Sequence, residues 1–180
     1  MSRVRRILVG TMVAAMASTV GGVADAAPAR SAESTAGQRQ VPEAIRVPDG
    51  NRRIAVMPAR GVQTYQCTAG AWTFLQPDAI LRHHGRAEVL HTKGPVWTSI
   101  VDGSSVTAAA VANSPVENAI PQLLLKSTGN RGPGLLGAVT YLQRLNTTGG
   151  LAPAGTCTDG TTVSVPYTAD YTFWTATGRG

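Results

Sequence analysis

The chain has 180 residues, of which 43% are hydrophobic and 14% charged, and it carries a formal net charge of +6. That length is one ordinary domain with enough chain to bury a core. Residues 61–180 hold seven basic and six acidic residues, a net of +1, whereas residues 27–60 hold six arginines against three acids. The compact part has no lysine–arginine stripe of the kind that tracks phosphates, which argues against nucleic-acid binding.

Met1 to Arg6 contains Arg3, Arg5 and Arg6, and an apolar run from Ile7 to Val23 leads into Ala24-Asp25-Ala26. A basic head, an apolar middle and a small-residue exit predict a secretory signal peptide over residues 1–26, rather than a membrane anchor. Residues 27–40 lack any large apolar side chain and are expected to be a flexible leader. A β-rich domain is expected over residues 41–180. No later hydrophobic stretch is long enough to span a bilayer, so the localisation expected is secreted and extracellular.

From Val41 onward the dominant period is two, the mark of half-buried strands. Ile54 and Val56 alternate after the turn-like Pro48-Asp49-Gly50-Asn51, and Gly61 to Cys67 reads as a strand. Pro77 to Arg82 is expected to hold one helical turn. Pro95–Val101 and Ser105–Val111 flank Asp102-Gly103-Ser104, a compact hairpin turn. Ile120–Leu125 suits a central strand, and Gly129 to Gly134 a loop. In Leu135–Thr147, Leu135, Val139 and Leu142 suit a helix, whereas Val139, Tyr141, Gln143 and Leu145 suit a strand; β-branched and aromatic content favours the strand. Val163, Val165, Tyr167, Ala169, Tyr171 and Phe173 share one face near the C-terminus, with Pro166 marking an edge or bulge. Many short strands with turns between them predict an all-β fold, an antiparallel β-sandwich or Greek-key barrel. In an oxidising compartment Cys67 and Cys157 are expected to pair, since no C-x-x-C spacing points to metal.

Gly61-Val62-Gln63-Thr64-Tyr65-Gln66-Cys67 opens a series of blocks in a fixed order. His91-Thr92-Lys93-Gly94-Pro95-Val96-Trp97, Asp102-Gly103-Ser104 and Ala119-Ile120-Pro121 follow, with Leu123-Leu124-Leu125. Gln143 to Thr147, Gly149-Gly150, Ala152-Pro153, Gly155-Thr156-Cys157 and Val165 to Phe173 complete it. The series resembles a family of secreted bacterial and fungal proteins catalogued as domain of unknown function 3455, over roughly residues 45–174. Gln122 departs from the family pattern, which has a tryptophan before the leucine run. The resemblance implies secretion, a β-rich domain and paired cysteines, and it brings no activity with it.

The polar residues inside those blocks are the candidates for chemistry. His91 is a candidate general base oriented by Asp102 or Asp170, with Arg144 holding an anionic group. Against this, Asp102 sets its own turn and Arg144 pairs with Asp170 as a structural ion pair. Trp97, Asn146, Tyr171 and Trp174 are the candidate binding residues, and Trp174, beyond the last alternating apolar position, is expected to be exposed. His83 and His84, adjacent on a strand, would point to opposite faces and not chelate one ion, so neither a metal site nor a cofactor is expected. Ser104 and Ser105 lack a G-x-S-x-G elbow. The sequence thus favours a non-enzymatic extracellular binding or envelope-associated module, for cell-wall polysaccharide or a small-molecule ligand. The alternative is a small secreted enzyme using His91 with an acidic partner.

Overall fold

The computed structural model describes residues 41–178. The signal peptide and leader expected over residues 1–40 lie outside the described residues. Eight antiparallel strands follow a short 3-10 turn at Glu43–Ile45: β1 Asn51–Thr68, β2 Ala71–His83, β3 Arg86–Thr92, β4 Val96–Ser99, β5 Ser105–Val116, β6 Ala119–Arg131, β7 Val139–Gly149 and β8 Thr162–Ala176. Each strand pairs with the next, and β8 pairs back onto β1 to close a barrel. The all-β, antiparallel, single-disulfide class read from the sequence is the class observed. Within it the path is a simple up-and-down meander rather than a Greek key or two packed sheets.

Tight hairpins dictate that path. Ala69-Gly70 and His84-Gly85 are two-residue connections in which both residues have positive φ, at 52° and 74° and at 48° and 79°. Their twist matches that of the flanking strands, so consecutive strands stay neighbours. The His84 turn also breaks strand alternation. The His83 and His84 rings therefore do not point to opposite faces but lie 4.1 Å apart, with His83 Nδ1 2.8 Å from Glu88. Pro77 to Arg82 forms no helical turn. It belongs to β2, where Pro77, Ala79 and Leu81 are buried in alternation with Asp78, Ile80 and Arg82. β6 likewise runs through Gly129 and Asn130 to Arg131, so the loop covers only residues 132–138. Pro166 lies one residue beyond the last β7–β8 pair, Gly149 with Tyr167, pairs with Val62 of β1, and still accepts through its carbonyl from Gly150 N.

Strand direction alternates, so the connections fall at two ends of the barrel. One end is closed. Asp102 accepts bonds from Ser104 N and Oγ at 2.9 and 2.6 Å and from Leu135 N at 2.9 Å, while Ser104 Oγ accepts from Leu136 N. This ties the β4–β5 turn to the β6–β7 loop and seats Leu136, fully buried, against Met57, Leu81, Val106, Leu142 and Phe173. At the other end, Cys67 at the end of β1 is bonded to Cys157 in the β7–β8 loop across 90 residues of sequence. Such a cross-link stabilises by about 4–5 kcal/mol in the chain-entropy account. Further bonds staple that loop to the first hairpin, including Gly70 N to Asp159 and Cys157 N to Gly70 O.

A second apolar cluster lies outside the barrel wall. Residues 41–47 lie across β5 to β8 and bury Ile45 and Val47 in a cluster with Leu124 and Trp174. Beneath them Gln143 Nε2 donates to Ile45 O at 2.7 Å, Thr172 Oγ1 donates to Gln143 Oε1, and Trp174 Nε1 donates to Thr172 Oγ1. Trp174 was expected to be exposed and is 2% exposed. It does point to the outer face, as its alternation requires, but the N-terminal segment covers that face.

Candidate functional site: a chamber inside the barrel

Above the Leu136 plug the interior is not filled. A cavity of about 410 Å³ is lined from all eight strands. Apolar wall comes from Phe74, Leu75 and Pro77 on β2, Ala110 on β5, and Leu123 and Leu125 on β6, and the rim from the β3–β4 turn, Lys93-Gly94-Pro95. A Cβ at Gly61 would collide with the Asp78 carbonyl oxygen, so only glycine lets β1 approach β2 this closely in the barrel wall.

His91 and Trp97 face each other across β3 and β4 and stack with ring centroids 4.0 Å apart at 4°. Tyr171 of β8 meets both edge-on, at 5.5 and 5.6 Å. His91 Nδ1 lies 3.0 Å from the Val96 carbonyl. A carbonyl only accepts, so Nδ1 carries the proton and Nε2 is left as the acceptor. Burial drives the His91 pKa down to about 4; the Arg144 charge pushes the same way, while the Val96 bond and Asp78 oppose it. At neutral pH the ring is uncharged.

Arg144, on β7 beside Leu123 and Tyr171, donates through Nε and Nη2 to the Pro121 carbonyl at 3.1 and 2.9 Å. The only ion pair among the described residues joins His83 to Glu88, so this guanidinium faces the chamber without a carboxylate partner. Its charge reaches Tyr65, Tyr167 and Tyr171, and it lies within bonding reach of the Tyr171 hydroxyl. The Tyr167 and Tyr171 hydroxyls are 3.4 Å apart. Burial, the leading cause in both, pushes these phenols above their ordinary range and keeps them protonated.

Two further donors lie sealed in the chamber wall. Gln63 and Trp97 are 3% and 1% exposed, and neither Gln63 Nε2 nor Trp97 Nε1 makes a hydrogen bond of good geometry among the described residues. The Gln63 side chain does lie within hydrogen-bonding influence of the Tyr167 hydroxyl. A buried donor without a good partner costs roughly 1–3 kcal/mol.

Of the eight residues singled out from the sequence, the fold brings His91, Trp97, Arg144 and Tyr171 together. Asp102 lies at the closed end, holding the turn as its structural reading required. Asp170 is on the outer face and accepts from Asn146 Nδ2 at 2.9 Å, so neither acid orients His91 and Arg144 does not pair with Asp170. Trp174 and Asn146 contribute nothing to the chamber. Sequence reading missed Gln63, Phe74, Leu123, Leu125 and Lys93 as lining residues. Gln63 was findable, as a polar residue on the inward face of β1 between Ala59 and Tyr65.

Fold and cavity together define an eight-stranded up-and-down barrel, plugged at one end and hollow at the other. The chain belongs to the family described as Protein of unknown function (DUF3455), whose model matches residues 82–175, more than half the chain. No curated protein and no solved structure matches it. Among the described residues no helix is long and apolar enough to cross a membrane, and no group of three or more His, Cys, Asp or Glu side chains is placed to hold a metal ion.

Proposed function

We propose that this is an exported binding protein that holds a small, largely apolar molecule inside the barrel. The observation that carries this reading is the chamber itself: about 410 Å³, walled mainly by apolar side chains, with a few polar groups converging on it. Ligand sites run roughly 300–1,000 Å³ and have this mixture of wall and anchors. The disulfide supports export, because such bonds persist in oxidising compartments. A polysaccharide fits the geometry poorly, since a chamber plugged at one end gives a long chain no exit.

Catalysis by His91 is the weaker reading. A base with a pKa near 4 is far from the value that favours proton abstraction at neutral pH. No carboxylate, serine or cysteine lines the chamber to supply a nucleophile or an orienting acid.

The test is fluorescence titration with N-phenyl-1-naphthylamine, a neutral apolar probe, against the full exported chain and an Ala110→Trp variant. Ala110 lines the chamber and is itself exposed, so it stands at the open side, where an indole narrows the entrance. The wild type should enhance probe fluorescence saturably at one site, and the variant should not, at an unchanged thermal midpoint. Equal binding by both proteins would place the probe elsewhere and remove the chamber as the site.

A further inference from the structure

The polar groups of the chamber are unbalanced. Arg144 brings a cationic donor to the wall, Lys93 stands at the rim, and no carboxylate is among the lining residues. Asp78, the nearest acid by its effect on His91, is not one of those residues, and its carboxylate accepts from Gln76 Nε2 at 2.8 Å. Arginine has five N–H donors in a planar fork. The Pro121 carbonyl takes two and the Tyr171 hydroxyl is within reach of a third, which leaves part of the fork unassigned.

Resting on the binding reading above, we infer that the molecule held in the barrel is a small monocarboxylate with an apolar body, its carboxylate set against Arg144. Three features select this class. The open part of the Arg144 fork needs acceptors, and a carboxylate offers two oxygens with about four acceptor sites. A single guanidinium balances one negative charge, whereas a phosphate or a dicarboxylate would bring uncompensated charge into a mainly apolar space. Leu123, Leu125, Phe74 and the stacked His91–Trp97 pair then cover a hydrocarbon or aromatic body. Lys93 at the rim adds attraction for an approaching anion.

The test uses octanoate and 1-octanol, which share a tail and differ in the head, measured by calorimetry on the full exported chain. Octanoate should bind about tenfold more tightly or better, as a charge-assisted pair exceeds a neutral one. Ala110→Trp should abolish binding of both. Arg144→Met should bring the two affinities together by weakening octanoate alone. Arg144→Lys guards against a folding defect and should keep part of the preference. Octanol binding as tightly as octanoate would overturn the carboxylate assignment and leave the chamber reading standing. Failure of both ligands and of the naphthylamine probe would overturn the chamber reading itself. A preference undiminished in Arg144→Met would remove Arg144 as the anchor.

Discussion

Protonating His91 inside the barrel should destabilise the fold by an amount that can be read against pH. The unfolded residue takes up a proton near pH 6.5, the folded one only near pH 4. Because the folded value is the lower, this contribution is fully present above pH 6.5. It drains away as pH falls toward 4 and then stays constant, since both states are then protonated. The interval is about 2.5 pH units, and at 1.36 kcal/mol for each it amounts to about 3 kcal/mol. The site is deeply buried, so solvent screening removes little of that. Urea unfolding at pH 7, 5.5 and 4.2 supplies the assay, with His91→Phe as the reference. Phenylalanine keeps the ring stacked on Trp97 and loses the bond to the Val96 carbonyl, a constant penalty of roughly 1 kcal/mol. All other ionisable groups are common to both proteins. The wild type should therefore lose about 3 kcal/mol more than the variant between pH 7 and pH 4.2. Parallel pH profiles, or a His91 NMR titration centred near 6.5, would refute the neutral, buried ring.

Asp102→Asn should lower the thermal midpoint, because the carboxylate is held well below its usual range by the Leu135 N–H first and then by Ser104. That difference should be present above about pH 4 and vanish as pH falls below it, the sign expected of a depressed acid. The Cys67→Ser/Cys157→Ser double variant should lose about 4 kcal/mol in urea unfolding, and a loss near zero would mean that the β7–β8 loop is held by its hydrogen bonds alone. Ile45→Ala should cost about 2–5 kcal/mol, as for other fully buried Ile to Ala changes, with a red-shifted Trp174 emission. An unchanged midpoint would detach the N-terminal segment from the barrel wall.

Period-two alternation made β1, β8 and the β4–β5 turn legible, because each buries one face and the pattern records which. β2 was missed at Pro77 to Arg82, where a proline and mixed polarity hide a strand that pairs on both sides. Closure into a meander was hidden by hairpins built on Ala69-Gly70 and His84-Gly85, whose first residues are not the usual Asn or Asp. Burial of Trp174 depends on a segment some 130 residues earlier in the chain, which no local pattern records. At the site, His91, Trp97, Arg144 and Tyr171 stood out because each is a chemically rich residue on an inward-facing position. Asp102, Asp170 and Asn146 stood out for the same chemical reason, yet they face away. Residue type suggested a site, and only register told inward from outward.

A crystal structure of the protein grown with octanoate bears most directly on the chamber. Electron density for the tail should lie between Trp97, Tyr171 and Leu125, with a carboxylate oxygen about 3 Å from the Arg144 guanidinium. Octanoate bound only outside the barrel, or a chamber filled by its own side chains, would contradict the assignment of this protein as a carrier of small apolar acids.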